Sequence, residues 1–280
     1  MNWPVNLQCA VSLTFDVDGE IVWLSKASQN AAFGNPVVVS MGRFGPKIAG
    51  PRILDLLDKY QIKACFFIPG KIVERYPELV KEIHTRGHEI GFHGYSHVNP
   101  ATMTLEQEKE DFEKGLELFD KVIQSRPLGY RSPALDMSEN TWRLLVDYGF
   151  IYNSAMMDND VPYLHHTHGK SMVEIPIHWM LDDWVYFGFN MYPSLPYMSG
   201  ISSQEKVYQI WSAEFDGIYR EGRHFVLCMH PQLMGRLSRL DMLEKLIMHI
   251  KQKPKVWIAK PIDVAKYVLA SQGRGNLQET

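Results

Sequence analysis

The sequence predicts an α/β protein built as one closed or nearly closed parallel barrel. Short apolar runs rich in β-branched and aromatic residues alternate with amphipathic segments of helical period over most of the 280 residues. The alternation makes seven or eight βα-like units, and no Pro/Gly/Ser-rich linker separates them. A barrel of such units commonly occupies this length as a single domain, so we expect one domain over residues 1–280.

Eight runs are predicted to be strands because they are short, apolar and rich in residues that favour β structure. In chain order they are AVSLTF (10–15), KACFFI (63–68), EIGFH (89–93), LGYRS (128–132), FIYNSA (150–155), MVEIPIHW (172–179), HFVLCMH (224–230) and KVWIA (255–259). The first of these runs leads directly into the acidic stretch TFDVDGE.

Five segments between these runs have the period of an amphipathic helix. They are PRILDLLDKY (51–60), ERYPELVKEIHTR (74–86), TLEQEKEDFEKGLELFDKVIQ (104–124), SENTWRLLVDYG (138–149) and DMLEKLIMHIKQ (241–252). Residues 21–50, and residues 156–171 together with 185–202, show no regular period. Loops of this length usually act as lids or as interface elements.

Charge and composition exclude several classes of partner. The net charge of -3 and the pI of about 6.4 create no field that would attract nucleic acid or anionic lipid. No run reaches the ~18 apolar residues of a membrane span, and residues 1–20 lack the basic start of a signal peptide. Cys9, Cys65 and Cys228 are odd in number and lie in or beside apolar segments. We therefore expect buried thiols and a cytoplasmic protein without a nucleic-acid or membrane partner.

Polar residues that follow the predicted strands are the candidates for chemistry. The carboxyl ends of the strands of an α/β barrel converge on one face, where active sites are built. The candidates are Asp16, Asp18, His93, His97, Arg131, Asp182, Asp183 and His230. Because each group follows a different apolar run, we expect them to meet at one site.

Two histidines in FHGYSH and two aspartates in TFDVDGE indicate a metal site. His93 and His97 can reach one cation if the turn between them curls, which Gly94 makes easy. A carboxylate is the common third ligand, and either Asp16 or Asp18 can supply it. Alternate residues of a strand share a face, so the other aspartate would lie beside the cation as a general base.

Further positions fit the acid side of an amide hydrolysis. His230 ends a very apolar strand, where an imidazolium can give its proton to a leaving nitrogen. Asp182 or Asp183 in LDDW can hold that imidazole in its charged form, and the sequence does not choose between them. Arg131 in YRSP can orient Asp16 and keep it ionised.

Other polar residues have structural interpretations. His84 and His88 repeat the spacing of the metal-binding pair but straddle a helix stop, so a structural or surface role is expected. Arg236 and Arg239 are expected to be surface or structural groups, with an anionic substrate or an interface carboxylate as the alternative. Glu20 has no assigned role.

The ordered motifs TFDVDGE, HGYSH, YRSP, LDDW and MHP, spread over about residues 11–265, resemble the polysaccharide deacetylase family, carbohydrate esterase family four. The resemblance implies a distorted (β/α)7-8 barrel, a single catalytic domain and a divalent metal, with zinc the first candidate. It also implies Asp18, His93 and His97 as metal ligands, Asp16 as base, Arg131 as the residue that orients the base and His230 as general acid.

Departures from the secreted members indicate an intracellular branch of this family. Val17 separates the two aspartates, Ala134 stands where those enzymes often carry an aromatic residue, and HPQLMGRLSR follows the last motif. The pattern is similar to a branch of cyclic imide hydrolases, allantoinases and a peptidoglycan-deacetylase-like protein, and this resemblance implies a homotetramer. We expect cleavage of a non-peptide C–N bond, with a small cyclic imide or ureide ahead of an N-acetylated sugar. The stretch WVYFGFNMYPSLPYM (184–198) would cap a small pocket or pack against a partner subunit.

Two other classes share parts of the pattern. Two histidines and a carboxylate also form the triad of non-heme iron oxygenases, but those sites use a tighter spacing on an all-β scaffold. A catalytically inactive binding module of the same fold would lack the base or the acid, and Asp16 and His230 are both present. A hydrolase is therefore the expected class.

Overall fold

A curled sheet forms the centre of the structure, a computed structural model that describes residues 3–24, 36–188 and 201–275. Within these ranges the sheet has nine strands: β1 Cys9–Asp16, β2 Cys65–Ile68, β3 Glu89–Phe92, β4 Gly129–Tyr130, β5 Tyr152–Asn153, β6 Tyr163–Thr167, β7 Lys170–Glu174, β8 His224–Met229 and β9 Val256–Ile258. Their order is β6-β7-β5-β4-β3-β2-β1-β8, and β9 also pairs with β1. All pairs are parallel except the hairpin of β6 and β7. The predicted distorted (β/α)7-8 barrel is confirmed.

Helices surround this sheet and connect its parallel strands. They are α1 Ile21–Leu24, α2 Pro36–Phe44, α3 Gly50–Lys59, α4 Gly70–Arg75, α5 Pro77–Thr85, α6 Leu105–Ile123, α7 Thr141–Asp147, α8 Trp184–Phe187, α9 Gln204–Glu221, α10 Pro231–Met234, α11 Leu237–Gln252 and α12 Pro261–Gly275. A π-helical turn over Gly45–Ala49 joins α2 to α3. Among these helices, none is long and apolar enough to cross a bilayer.

Several predicted elements differ from the observed ones. The segment predicted as one helix over 74–86 is two helices, because Pro77 cannot donate a backbone hydrogen bond and starts α5 anew. Much of 21–50 is helical rather than irregular, although 25–35 lies outside the described residues. Helices α9 and α12 were not predicted, and 156–171 contains the unpredicted hairpin of β6 and β7.

The side chains of β1 divide the apolar core into two layers. The outward residues Cys9, Val11, Leu13, Phe15 and Val17 join the large cluster between the sheet and the helices. Ala10 belongs to a smaller cluster inside the barrel, which α12 helps to close through Ala265 and Val268. Val17 therefore occupies the next outward place after Phe15, and the two-residue period directs the aspartates beside it to the barrel interior.

Candidate active site

Asp18, His93 and His97 place three ligand atoms around one point at the carboxyl ends of β1 and β3. His93 Nε2 lies 3.5 Å from Asp18 Oδ1, and His97 Nε2 lies 3.4 Å from Asp18 Oδ2. All three side chains are buried, and one ligand atom of each lies within 4.8 Å of the others. The structure therefore brings together the three residues that the sequence indicates as a set.

The donor chemistry of these three residues fits a divalent cation. Asp18 Oδ1 is buried and has no hydrogen-bond partner in the described part of the chain. His93 Nδ1 donates to the backbone carbonyl of Arg131 at 2.7 Å, which leaves the Nε2 lone pair facing Asp18. A carboxylate and two imidazole nitrogens, with an outer partner that orients one ring, are the usual protein ligands of a catalytic zinc site.

The loop that carries His97 is fixed by its backbone and by Asp111. Gly94 has a φ of 68° and His97 a φ of 55°, both in the left-handed region. A Cβ at Gly94 would meet Asp111 Oδ2 at 3.0 Å. The Asp111 carboxylate accepts hydrogen bonds from the backbone N–H groups of Tyr95 at 2.6 Å and Ser96 at 3.0 Å. The curled turn expected at Gly94 is present, and Asp111 is an anchor that the sequence did not reveal.

Asp16 is held beside the candidate metal ligands by a buried arginine. Arg131 Nη1 donates to Asp16 Oδ1 at 2.8 Å and to Thr14 Oγ1 at 2.8 Å. The Arg131 guanidinium lies over the Phe67 ring, 4.3 Å from its centroid. The Cys228 thiol donates to Asp16 Oδ2 at 3.4 Å. The predicted pairing of Arg131 with Asp16 is therefore observed, and both carboxylate oxygens of Asp16 have a partner.

Ser154 and Glu174 also help to fix the position of the Arg131 side chain. Ser154 accepts from Arg131 twice, at its carbonyl from Nε at 3.1 Å and at its hydroxyl from Nη2 at 3.0 Å. Glu174 Oε1 accepts from the backbone N–H groups of Ala155 and Met156, each at 2.9 Å. The buried Glu174 carboxylate thus fixes the segment that follows Ser154, which fixes the guanidinium in turn. No motif in the sequence marks either residue.

His230 also lies beside Asp18, and Asp183 orients it. Asp183 Oδ1 lies 2.6 Å from His230 Nδ1, and Asp183 Oδ2 accepts from the His230 backbone N–H at 2.9 Å. His230 Nε2 lies 3.6 Å from Asp18 Oδ2. Asp182 is 3.9 Å from His230 Nδ1 and instead accepts from the Trp184 backbone N–H at 2.7 Å. The geometry chooses Asp183 as the direct partner, which the sequence left open.

The electrostatics of the site follow from burial and from these pairings. Burial opposes ionisation of Asp18, but the neighbouring histidines, His97 foremost, outweigh it and hold the pKa of Asp18 well below its usual value. Burial lowers the pKa of His93, which favours the neutral imidazole that a metal requires. Burial also opposes the charged form of His230, but Asp183 outweighs it through its charge and hydrogen bond and raises the pKa of His230 to about 10.

The backbone after Arg131 adopts a strained conformation at the edge of the site. Ala134 and Leu135 have φ values of 59° and 53°, so two consecutive non-glycine residues lie in the left-handed region. Such conformations cost of order 1 kcal/mol each and cluster at functional sites. The sequence singled out Ala134 as the position where an aromatic residue is missing.

Aromatic side chains line the site near His230. The Trp184 ring lies 5.0 Å from the His230 ring, and Trp23 lies 5.9 Å from Trp184. Trp184 belongs to the stretch predicted to cap a pocket, whose first residues form α8. Residues 189–200, which hold most of that stretch, lie outside the described residues.

Three residues near the motifs are structural in this fold. Glu20 is buried, accepts from Arg75 Nη1 at 2.9 Å and from the Tyr76 hydroxyl at 3.0 Å, and so anchors the turn after Asp18. His84 is exposed on α5. His88 accepts a backbone hydrogen bond at 3.1 Å, and burial lowers its pKa to about 4. The structural interpretation of the second histidine pair is confirmed.

The fold and the site together define a hydrolase of carbon–nitrogen bonds with a candidate metal site. The family model described as polysaccharide deacetylase matches residues 43–152. A peptidoglycan deacetylase from Helicobacter pylori is 33% identical over 275 residues, covering 89% of this chain and 92% of that protein. The chain belongs to the polysaccharide deacetylase family, whose members are metalloenzymes.

Solved structures agree with this family at the level of the whole chain. The crystal structure of a putative polysaccharide deacetylase from Mycobacterium smegmatis is 34% identical, with a TM-score of 0.91, and the match covers 97% of this chain and 94% of that one. An allantoinase structure matches with a TM-score of 0.84 at 24% identity, over 96% of this chain and 92% of that one. The second likeness concerns the fold alone.

Proposed function

We propose that the protein is an N-deacetylase of N-acetylated amino sugars of the peptidoglycan type, releasing acetate and a free amine. The observation that carries this proposal is the placement of a base and an acid around the ligand set. Asp16 Oδ2 lies 3.9 Å from His93 Nε2, and His230 Nε2 lies 3.6 Å from Asp18 Oδ2. The proposed base and the proposed acid therefore both lie beside the proposed ligand set.

In the proposed reaction, Asp16 accepts the proton of the water that attacks the acetyl carbon, and the hydrogen bond from Arg131 orients its carboxylate. The C–N bond then breaks as the His230 imidazolium donates its proton to the departing nitrogen, and the acetyl group leaves as acetate. The backbone N–H of Ala134 is the proposed donor to the negative charge that develops on the carbonyl oxygen.

Asp18, His93 and His97 are the proposed ligands of the divalent cation. Such a cation supplies Lewis acidity, which lowers the pKa of water and polarises a carbonyl. Zinc suits a ligand set of two imidazoles and one carboxylate, and cobalt, nickel or manganese can occupy the same set.

The relatives support a sugar substrate over a cyclic imide or ureide, which reverses the order expected from the sequence. That expectation depended on Val17, on the absence of a signal-like start and on the motif after His230. The relative that matches nearly the whole chain at 33% identity is named for peptidoglycan, whereas the likeness to an allantoinase is one of fold. The single catalytic domain, the cytoplasmic location and the homotetramer stay predictions.

A substrate panel tests the proposal. Zinc-loaded protein is incubated with chitooligosaccharides, with peptidoglycan fragments and with succinimide and dihydropyrimidines, and acetate release and ring opening are measured separately. The proposal expects acetate release from an N-acetylated glycan that the Asp16→Asn variant does not produce. Ring opening without any acetate release would contradict the proposal and would favour a cyclic imide as the substrate.

A further inference from the structure

Arg239, in the first turn of α11, is a buried arginine with few polar partners among the described residues. It is 8% exposed, its Nη1 donates to the Leu233 carbonyl at 2.8 Å, and its guanidinium lies over the Phe187 ring at 4.2 Å. Within the described ranges, no carboxylate lies within 4 Å of it. Of its five N–H donors, one has a hydrogen bond to a described residue.

The described residues around Arg239 supply little negative charge to balance it. Asp183 acts on Arg239 only at longer range, and both Asp183 oxygens are already bonded to His230. Arg236 adds a like charge one turn away, and the first turn of α11 contains no acidic residue and no side-chain cap. Segments 25–35 and 189–200, which lie outside the described residues, contain no Asp or Glu.

An unpaired buried cation is costly, and at a helix N-terminus the helix dipole adds to the cost. The free-energy cost of a guanidinium in this position falls when a bound ligand supplies the opposite charge. Arginine suits this role because its planar fork binds a carboxylate in a bidentate manner.

Arg239 is also tied to the turn that carries the proposed acid. The Leu233 carbonyl that Arg239 binds belongs to α10, and the Leu233 backbone N–H donates to the His230 carbonyl at 2.8 Å. Phe187, on which the guanidinium stacks, ends the short helix that Trp184 begins beside His230. Arg239 therefore contacts both segments that border His230.

We propose that Arg239 binds a carboxylate of the substrate, so that the enzyme selects N-acetylated amino sugars that carry an acidic substituent over neutral ones. This inference rests on the proposed function, because it adds a charged subsite beside the same base and acid. Arg236 strengthens the positive field at the rim without contacting the carboxylate.

Equilibrium binding tests the subsite without relying on turnover. N-acetylmuramic acid and its lactyl carboxamide differ only in charge, and their affinities are measured by calorimetry on zinc-loaded Asp16→Asn protein. We expect the acid to bind at least about tenfold tighter, with an advantage that shrinks as salt is added. In the Arg239→Gln variant the advantage disappears, Arg239→Lys keeps part of it, and Arg143→Gln, a change of an exposed arginine on α7, leaves it intact.

If protein that retains Arg239 binds the two probes with equal affinity, the inference is overturned, whether or not the Arg239 variants fold. A preference that persists in Arg239→Gln would also overturn it, because the carboxylate would then be bound by the cation. If acetate is released but the two probes bind equally, the carboxylate subsite is wrong and the proposed deacetylase function still holds. If the acid binds more tightly but no acetate is released, the subsite holds and the proposed deacetylase function is wrong.

Discussion

At the scale of single residues, the site depends on two carboxylates with similar exposure and different partners. Asp18 faces three imidazoles and keeps one oxygen without a hydrogen bond, whereas both oxygens of Asp16 are engaged, one of them by Arg131. The first environment suits a metal ligand, and the second suits a base held in a fixed orientation. The alternation of β1 places both on one face, so their difference arises from the neighbouring strands rather than from β1.

Replacing the base separates these two roles. In Asp16→Asn the amide cannot accept a proton from water, so kcat for acetate release should fall by about 10²–10⁴-fold. The bound zinc, measured by mass spectrometry, should stay at the level of the unaltered protein. If Asp16→Asn instead loses the metal and Asp18→Asn keeps it, the assignment of ligand and base is reversed.

The adjacent aspartates Asp182 and Asp183 should differ in the same assay. Asp183→Asn removes the charge 2.6 Å from His230 Nδ1, and kcat should fall by about 10²-fold or more. Asp182→Asn removes a carboxylate that bonds the Trp184 backbone, and a loss below about tenfold is expected. A larger loss in Asp182→Asn would show that the longer contact is the functional one.

At the scale of elements, α2 packs so closely on the turn after β1 that only glycine fits between them. A Cβ at Gly42 would lie 2.3 Å from the Glu20 Cα and 2.6 Å from the Gly19 carbonyl. Both atoms are backbone, so the turn itself would have to move. Because that turn follows Asp18 directly, the packing of α2 helps to position this proposed metal ligand.

Gly42→Ala should therefore weaken metal binding as well as the fold. We expect the free energy of unfolding to fall by about 2 kcal/mol or more and the dissociation constant of zinc to rise. The matched control is Gly217→Ala, where the nearest atom to the new Cβ is an arginine nitrogen at 3.9 Å in the helix α9. That change should stabilise the protein by about 0.5–1 kcal/mol and leave zinc affinity unchanged. Equal effects of the two variants would argue against this packing.

Glu174 should make the stability of the β5–β7 region depend on pH. Burial raises the pKa of Glu174 to about 7, from an ordinary value of 4.5. Its folded form prefers the proton, so this contribution is complete below about pH 4.5 and is lost as the pH rises through 7. In chelator-treated protein, urea unfolding at pH 4.5 and 7.5 should show a decline that is about 3 kcal/mol smaller in Glu174→Gln.

The glutamine variant should fold because Asn153 can adapt to it. Asn153 Nδ2 donates to Glu174 Oε2 at 2.6 Å, and Asn153 Oδ1 has no hydrogen-bond partner in the part of the chain that the structure describes. A flip of the Asn153 amide would present that oxygen to the new side-chain amide. An unchanged pH dependence in Glu174→Gln would mean that Glu174 is ionised throughout the range.

At the scale of the whole molecule, the sequence predicted what depends on order along the chain. The barrel, the convergence of polar residues at strand ends and the pairing of Arg131 with Asp16 all follow from period and position. The choice of Asp183 over Asp182 depends on a difference of 1.3 Å between their distances to His230 Nδ1 (3.9 - 2.6), which no motif encodes.

Contacts between distant segments could not be predicted from the sequence either, because no motif encodes them. Ser154 and Glu174 act on Arg131 through hydrogen bonds that exist only once β4, β5 and β7 are side by side. Helix α9 was missed although its buried residues Val207, Trp211, Phe215 and Ile218 follow a helical period. The hairpin of β6 and β7 has a weaker pattern, because most of β6 is only partly buried.

A metal titration tests the central claim most directly, which is that Asp18, His93 and His97 hold the cation that deacetylation requires. Protein treated with a chelator receives increasing zinc while bound metal and acetate release from an N-acetylated glycan are measured on the same samples. We predict that activity rises in proportion to bound zinc and levels off at one equivalent per chain, and that His93→Ala reaches neither. Full acetate release by the metal-free protein, or one equivalent of zinc retained by His93→Ala at unchanged affinity, would contradict the account.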